Sequence, residues 1–290
     1  MTVQILHVAD LHFGGAADIR QIEALEHMLP ELRPDAIVIA GDVTQRSRHG
    51  ELQRARAFVN LAARMAPVHV MPGNHDVRWW LRPLIPIARD AIYAKYRRYF
   101  GDDLAPAITV AGAGGGGALI AGVLTSYGVA WGSLTWNLRD IAVKGHLPKA
   151  EIDRAQALFA AAPADLACVL VVHHNVLRGD ISRRMGLARW RTAQRRIAAS
   201  GAEVVLCGHD HQEDAQVLDG RVVVSTAGTL SHRSRGGRPS SFNYVTIDAA
   251  SVQVTFFRWE GERGKFRASD TFAFARSNQK HQEARVVAAS

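Results

Sequence analysis

The chain has 290 residues, of which 48% are hydrophobic and 21% are charged, an ordinary balance for a globular protein that can bury a sizeable core. Its formal net charge of +8 and pI near 10.0 favour anionic partners such as nucleic acid, phosphorylated metabolites or an acidic lipid surface. An arginine-rich, solvated surface explains the same charge, so composition alone selects none of these partners.

Short β-branched runs alternate with longer amphipathic stretches over the first two hundred residues. In chain order, they predict strands at 3–8, 36–40, 68–71, 108–111, 119–124, 168–172 and 203–207, with helices at 19–32, 50–66, 86–100, 149–161 and 187–200. Such an order predicts an α/β protein whose helices pack on a sheet. Further strands at 215–218, 221–226, 242–248 and 251–259 follow one another, as in an antiparallel sheet.

No repeat or long linker divides the chain, so we expect a single domain over residues 1–276. The segment 231–241 is the best loop candidate, and residues 277–290 form a polar C-terminal tail. Residues 104–138 carry no charge and are long enough to span a bilayer. Glycines interrupt this stretch, however, which favours two short buried strands joined by a glycine turn.

The compartment is predicted from the N-terminus and the cysteines. Residues 1–4 carry no basic segment, so a cleaved signal peptide is not expected. Cys168 and Cys207 lie in apolar runs and do not make a disulfide framework, which favours a reducing cytoplasm. Cys207 is close in sequence to a group of candidate metal ligands, but a small core residue explains it more simply.

Polar residues of the metal-binding type follow five of the predicted strands. In chain order they are Asp10 and His12, Asp42, Asn74 with His75 and Asp76, His173, and His209 with His211. Ligands of open α/β sheets collect at the carboxyl ends of the strands, so we expect these side chains to converge.

Carboxylate and imidazole groups together favour divalent ions such as Mn, Fe or Zn over a soft thiolate site. A carboxylate can bridge two cations, and two cations can hold a phosphoryl group for in-line displacement. Single histidines are more often structural than ligating, and His27, His49, His69 and His146 fall outside the pattern.

The five segments together resemble the calcineurin-like metallophosphoesterases, whose motifs are D-x-H, G-D, G-N-H-[DE], H and G-H-x-H. The resemblance runs from Val3 to about His211. It implies a four-layer αββα sandwich, in which two mixed β-sheets pack face to face with helices outside.

The resemblance also implies a role for each matching residue. One metal would be held by Asp10, His12, Asp42 and His211, and the second by Asp42, Asn74, His173 and His209, with Asp42 bridging. His75 would be the catalytic imidazole, and Asp76 would orient it. A bridging water, acidified by the metals, would attack phosphorus as hydroxide; His75 would act as general acid or as an electrostatic stabiliser.

The sequence departs from the family pattern at one position near the site. Many members have His-His-Pro where this chain has His173-His174-Asn175. The proposed ligand at the first histidine is kept. The shape of the following loop, and with it the substrate, is therefore left open by the resemblance.

Phosphodiester hydrolysis of a small-molecule phosphate ester is the expected activity, because the motif set resembles the bacterial cyclic-nucleotide-type phosphodiesterases of this family. The opening 7–12 also resembles the Mre11 and SbcD nuclease branch, but little chain is left for its DNA-capping domain. The stretch 78–85, with arginines beside two tryptophans, is explained by a loop and helix that pack over the site with arginines facing substrate phosphate. It also suits a nucleotide-lipid pyrophosphohydrolase in peripheral contact with a membrane. A non-catalytic scaffold is the alternative from a different class, and the oligomeric state stays open.

Overall fold

Two six-stranded mixed β-sheets with helices on their outer faces make up the described part of the protein. The computed structural model describes residues 2–78, 89–128 and 143–276. The strands are β1 (Thr2–Val8), β2 (Ala36–Ile39), β3 (Val68–Val70), β4 (Ala107–Ala111), β5 (Gly117–Gly122), β6 (Leu166–Val171), β7 (Val204–Cys207), β8 (Asp214–Leu218), β9 (Val222–Thr226), β10 (Ser241–Asp248), β11 (Ser251–Glu260) and β12 (Lys265–Ala275). The helices are α1 (Ile19–Leu32), α2 (His49–Ala62), α3 (Ala94–Phe100), α4 (Lys149–Ala161) and α5 (Trp190–Ala198), and a 3₁₀ turn (Arg89–Tyr93) precedes α3.

The order of the strands brings the predicted site strands together. The first sheet has the order β12-β11-β10-β1-β2-β3, and the second has the order β4-β5-β6-β7-β9-β8. Strands β1, β2 and β3 are parallel neighbours, as are β6 and β7. Because parallel strands end at the same edge, the segments that follow them start side by side.

Three apolar clusters show the layers. Residues such as Val3 and Ile5 of the first sheet pack against Ile120 and Val169 of the second, which makes the core between the sheets. Successive side chains of a strand point to opposite faces. The other faces of the two sheets therefore pack on α1 and α2, and on α4 and α5, respectively. The protein has the predicted αββα order of layers.

Most predicted elements are present, with shifts at their ends that have local causes. The helix predicted at 187–200 begins only at Trp190, because Arg189 has a left-handed backbone with φ of 51°. Helix α3 is shorter than the predicted 86–100, and residues 86–88 lie outside the described residues.

The prediction that the C-terminal strands form one antiparallel sheet is wrong, because they are divided between the two sheets. Strands β8 and β9 form a hairpin in the second sheet, where β9 also pairs parallel with β7. Strands β10 to β12 complete the first sheet through antiparallel pairing with β1. The sequence prediction also lacked β12, an edge strand whose side chains are mostly exposed.

The uncharged stretch forms β4 and β5 in its described part, joined by a glycine turn as predicted. Only β5 is buried, and the prediction of a buried strand is wrong for β4, an edge strand with mostly exposed side chains. Residues 129–138 lie outside the described residues. Among the described residues, no helix has both the length and the apolar character needed to cross a membrane.

A candidate dinuclear metal centre

The seven predicted metal ligands lie together where the strands of both sheets end. They are Asp10, His12, Asp42, Asn74, His173, His209 and His211, and all are buried or nearly so. Six of them fall, with His75 and His174, into overlapping groups whose donor atoms lie within 4.8 Å of one another, and Oδ1 of Asn74 lies 3.0 Å from ring nitrogens of His173 and His209. Residues separated by up to two hundred positions therefore share one pocket, which their assignment as ligands requires.

The first group lies around the end of β1. The Nε2 atoms of His12 and His211 are 3.0 Å apart, and Oδ1 of Asp10 lies 3.3 Å from the latter. This Oδ1 is buried and accepts no hydrogen bond among the described residues. Neighbouring ligands of one cation with bonds of about 2.1 Å lie about 3 Å apart, so these spacings fit a shared ion. An unpaired buried carboxylate oxygen is otherwise costly.

The second group lies where β3, β6 and β7 end. Oδ1 of Asn74 is 3.0 Å from Nε2 of His173 and 3.0 Å from Nδ1 of His209. The Nδ1 atom of His173 donates to the carbonyl of Ala40 at 2.9 Å, which leaves its Nε2 lone pair facing the pocket. The donor set of oxygen and imidazole again suits a divalent cation.

Asp42 lies between the two groups. Its Oδ2 is 3.4 Å from Nε2 of His173 and 4.0 Å from Nε2 of His12. Its Oδ1 accepts the backbone N–H of His75 at 2.8 Å. Oδ2 is thus the atom placed to serve both groups, as a bridging carboxylate would.

The backbone around these residues is strained. Left-handed φ angles of 48° to 72° occur at Asp10, His12, Asp42, His209 and His211. Only glycine adopts this region at little cost, and strain of this kind clusters at functional sites. Gly73 packs directly against Asp42, because a Cβ on Gly73 would overlap the Asp42 carboxylate.

The charge states of the ligand side chains in the metal-free pocket favour the binding of cations. Burial lowers the pKa of His12 to about 4, and it lowers the pKa of His209 as well, so both rings are neutral ligands at pH 7. Burial alone would raise the pKa of Asp42, but the neighbouring imidazoles, His173 first, hold it well below its usual range. Burial disfavours the charged form of His173, yet the carboxylate of Asp42 raises its pKa to about 9. A cation would replace the proton there.

His75 lies beside the pocket with one ring nitrogen already engaged. Its Nδ1 donates to the carbonyl of Gln45 at 2.8 Å, and its ring meets the His12 ring edge-on at a centroid distance of 4.9 Å. Nε2 of Gln45 also lies 3.2 Å from this Nδ1, but the carbonyl contact is shorter and a carbonyl can only accept, which assigns the proton to Nδ1. Nε2 of His75 is then the atom available to a substrate. Gln45 was not predicted, since a backbone carbonyl leaves no signal in the sequence.

The predicted role of Asp76 needs correction. Its buried carboxylate does not bond to the His75 ring. It accepts hydrogen bonds from the backbone N–H groups of Gly73, Val43 and Thr44 and from the Thr44 hydroxyl. Burial, with Asp42 nearby, raises the pKa of Asp76 to about 6. Asp76 therefore joins the segments that follow β2 and β3, while the Gln45 carbonyl orients the imidazole.

Two further residues near the pocket are structural. His174 belongs to one candidate ligand group with His173 and His209, but both of its ring nitrogens are engaged by the protein, with the hydroxyl of Thr125 at 2.8 Å and the carbonyl of Val143 at 3.1 Å. Cys207 contacts the hydroxyl of Thr226 at 3.4 Å and belongs to none of the candidate ligand groups. Thr229, which was not predicted, donates to the carbonyl of Asp10 at 2.6 Å and supports its strained backbone.

The family model for calcineurin-like phosphoesterases matches residues 3–213, which include every candidate ligand. The chain belongs to the calcineurin-like phosphoesterase family. Its curated relatives include the glycerophosphodiester phosphodiesterase GpdQ from Enterobacter lignolyticus, 33% identical over 101 residues. That match covers 28% of this chain and 34% of GpdQ, so it spans about a third of the relative.

Solved structures share the fold of this phosphoesterase over nearly its whole length. A dimetal phosphatase from Danio rerio has a TM-score of 0.63 at 13% identity, covering 95% of this chain and 99% of its own. GAP50, described as the anchor in the inner membrane complex of Plasmodium, has a TM-score of 0.63 at 11% identity, covering 95% and 89%. At these identities the likeness shows the fold alone.

Proposed function

We propose that the protein is a metal-dependent phosphodiesterase with a dinuclear centre of Mn, Fe or Zn. The observation that carries this proposal is the position of Asp42 Oδ2 between two groups of buried oxygen and imidazole donors. The partial match to GpdQ, a glycerophosphodiester phosphodiesterase by its name, supports diesters over monoesters. Two free, buried cysteines fit a cytoplasmic location.

The residues would divide into two sets. Asp10, His12, Asp42 and His211 would hold one cation; Asp42, Asn74, His173 and His209 would hold the other. When bound, the pair of cations would supply a hydroxide nucleophile near neutral pH and neutralise charge at phosphorus.

His75 would contact the phosphoryl group from beside the cations. With Nδ1 bonded to Gln45, its Nε2 can donate a proton to the leaving oxygen or a hydrogen bond to a phosphoryl oxygen. Burial of the surrounding carboxylates and imidazoles excludes water, which strengthens these interactions at the transition state.

The test is a comparison of two chromogenic esters on the same protein. The protein is stripped of metal with a chelator, reloaded with Mn²⁺, Fe²⁺, Co²⁺ or Zn²⁺, and assayed with bis-p-nitrophenyl phosphate and p-nitrophenyl phosphate. We expect at least one metal to restore turnover, with a higher kcat/KM for the diester. A preference for the monoester would overturn the diesterase assignment.

The same assay addresses the other candidates. Absence of turnover with every metal would favour a non-catalytic scaffold, although the described site keeps all the catalytic and ligand positions of the motif. The arginine and tryptophan stretch that motivated a lipid substrate falls mainly on residues 79–85, outside the described residues, so its prediction stays as it was.

A further inference from the structure

Asn175, the departure from the family pattern, shapes the loop after β6. Its side chain is buried, and Nδ2 donates to the carbonyl of Leu177 at 2.8 Å and to that of Arg184 at 3.1 Å. These bonds close residues 177–184 into a compact loop. Proline has no side-chain donor, so the usual His-His-Pro sequence lacks this clamp.

The same loop is fixed to the metal-ligand segment after β7. Oδ2 of Asp210 accepts from the hydroxyl of Ser182 at 2.8 Å, and Oε1 of Gln212 accepts from the N–H of Ile181 at 3.0 Å. Asp210 and Gln212 alternate with the candidate ligands His209 and His211. The position of the 177–184 loop is therefore set relative to the proposed cations.

A second loop, residues 231–238, joins the first at the same side of the pocket. The carbonyl of Arg233 accepts from Nδ1 of His211 at 3.1 Å. Nε of Arg235 lies 4.0 Å from Oδ1 of Asp210, and Arg238 lies 3.8 Å from Asp180 of the first loop. Arg233 is thus one hydrogen bond away from a candidate metal ligand.

The two loops carry a positive charge that their own acids do not neutralise. We name as the arginine rim the four exposed residues Arg178, Arg183, Arg184 and Arg233, none of which makes an ion pair with another described residue. In contrast, Asp180 and Asp210 already face Arg238 and Arg235. Unpaired guanidinium groups beside an anion-processing site raise the local concentration of anions and bind phosphate through two parallel hydrogen bonds.

We propose, resting on the phosphodiesterase function above, that the arginine rim binds a second phosphate of the substrate. The substrate class is then a phosphodiester that carries at least one further phosphate group. A short oligonucleotide carries the further phosphate beside the diester or at its end. In a pyrophosphate-linked nucleotide, an anhydride of two phosphates that each carry one ester, the phosphate that is not attacked takes this place. Because both loops are bonded to the segment that holds His209 and His211, the rim acts on a substrate bound at the metals.

A matched pair of chromogenic substrates tests the rim. Thymidine 5′-(p-nitrophenyl phosphate) and its 3′-phosphate both release p-nitrophenol, and the two substrates differ by one phosphate. We expect the wild type to have a kcat/KM about tenfold higher for the 3′-phosphate, the effect of one charge-assisted, two-pronged hydrogen bond from guanidinium to phosphate. In the double variant Arg183→Ala/Arg233→Ala, which takes one arginine from each loop, this ratio should fall close to one.

The control is Arg64→Ala, because Arg64 is an exposed arginine after α2 with no ion pair to a described residue. It removes the same kind of charge away from the loops and should keep the tenfold ratio. A ratio near one in the wild type, or an equal fall in Arg64→Ala and the rim variant, would overturn the proposal.

A binding measurement separates this proposal from the phosphodiesterase function. In calorimetric titrations, thymidine 3′,5′-bisphosphate should bind the wild type about tenfold more tightly than thymidine 5′-phosphate does. The rim variant should bind the two ligands with equal affinity. If the protein hydrolyses bis-p-nitrophenyl phosphate but binds the two thymidine phosphates equally, the role of the arginine rim is refuted and the phosphodiesterase function is kept. Discrimination in binding without any turnover would refute the catalytic function and keep the rim.

The natural source of the second phosphate can be compared directly. With the dinucleotide pTpT and with ADP-ribose as substrates, the higher kcat/KM identifies an oligonucleotide or a pyrophosphate-linked nucleotide. We expect the kcat/KM for the better substrate to be lower in the rim variant than in the wild type. An unchanged kcat/KM for that substrate in the rim variant would contradict the proposal.

Discussion

Replacement of His75 by alanine should separate catalysis from metal binding. The ring bonds to the Gln45 carbonyl and is not one of the seven proposed ligands, while the contact to Asp42 comes from the His75 backbone, which alanine keeps. We expect two metals per chain to remain. Loss of a proton donor or cationic stabiliser at phosphorus lowers kcat by roughly 10²- to 10⁴-fold, which corresponds to about 3–5 kcal/mol of transition-state stabilisation.

The assay combines metal content by mass spectrometry with turnover of bis-p-nitrophenyl phosphate. His49→Ala is the matched control, because His49 is exposed and bonds only to Tyr99 among the contacts described for it. It should keep kcat within about twofold, as is usual for surface changes. The reasoning fails if His75→Ala loses one metal per chain, since His75 also lies within reach of His12 and Asp42 and would then be a ligand.

Three further outcomes follow from the structure. Asp42→Ala should lose both metals and all activity, because Oδ2 of Asp42 faces both ligand groups. The same mass spectrometry and turnover assays measure this, and full activity would exclude a bridging role. Glu203→Gln should destabilise the protein by about 1–3 kcal/mol in chemical denaturation, because it removes the carboxylate charge that faces the guanidinium of Arg276, whose side chain is 2% exposed. The exposed pair Arg221–Asp219 is the control, with less than about 1 kcal/mol expected for Asp219→Asn. Burial raises the pKa of Cys207 to about 11, so its thiol stays protonated below that pH. A thiol reagent at pH 8 should therefore label no cysteine in the folded protein, where both cysteines are buried, and two cysteines after unfolding.

The sequence predicts the strands of the site because each one combines two strong signals. Buried strands such as β2 and β7 are short runs rich in β-branched residues, and within three residues of their ends a glycine precedes Asp42 or His209. Both signals are local, and parallel strands bring their ends together without further information. The layers and the position of the pocket follow from these alone.

What the sequence does not predict depends on contacts between distant residues. The partner of the His75 ring is a carbonyl, a group that every residue has, so Gln45 carries no signal. The carboxylate of Asp76 follows the imidazole directly in sequence, yet the fold turns it toward Thr44. Strand β12 has one strand neighbour and mostly exposed side chains, which weakens the apolar alternation on which its prediction depends.

The shape of the loop after His173 was left open by the sequence because the effect of Asn175 depends on its acceptors. Those acceptors are backbone carbonyls within the loop itself, at Leu177 and Arg184. The arginines of this loop are charged in any conformation, but only the clamped loop is bonded to the segment after β7 that holds His209 and His211. Composition alone could therefore not distinguish the rim from a solvated surface.

The central claim is that one pocket holds a pair of cations, and anomalous diffraction from crystals grown with Mn²⁺ tests it directly. We predict two peaks, one within about 2.3 Å of the donor atoms of Asp10, His12 and His211 and one equally close to those of Asn74, His173 and His209. Oδ2 of Asp42 should lie between them. A single peak, or peaks away from these residues, would contradict the account.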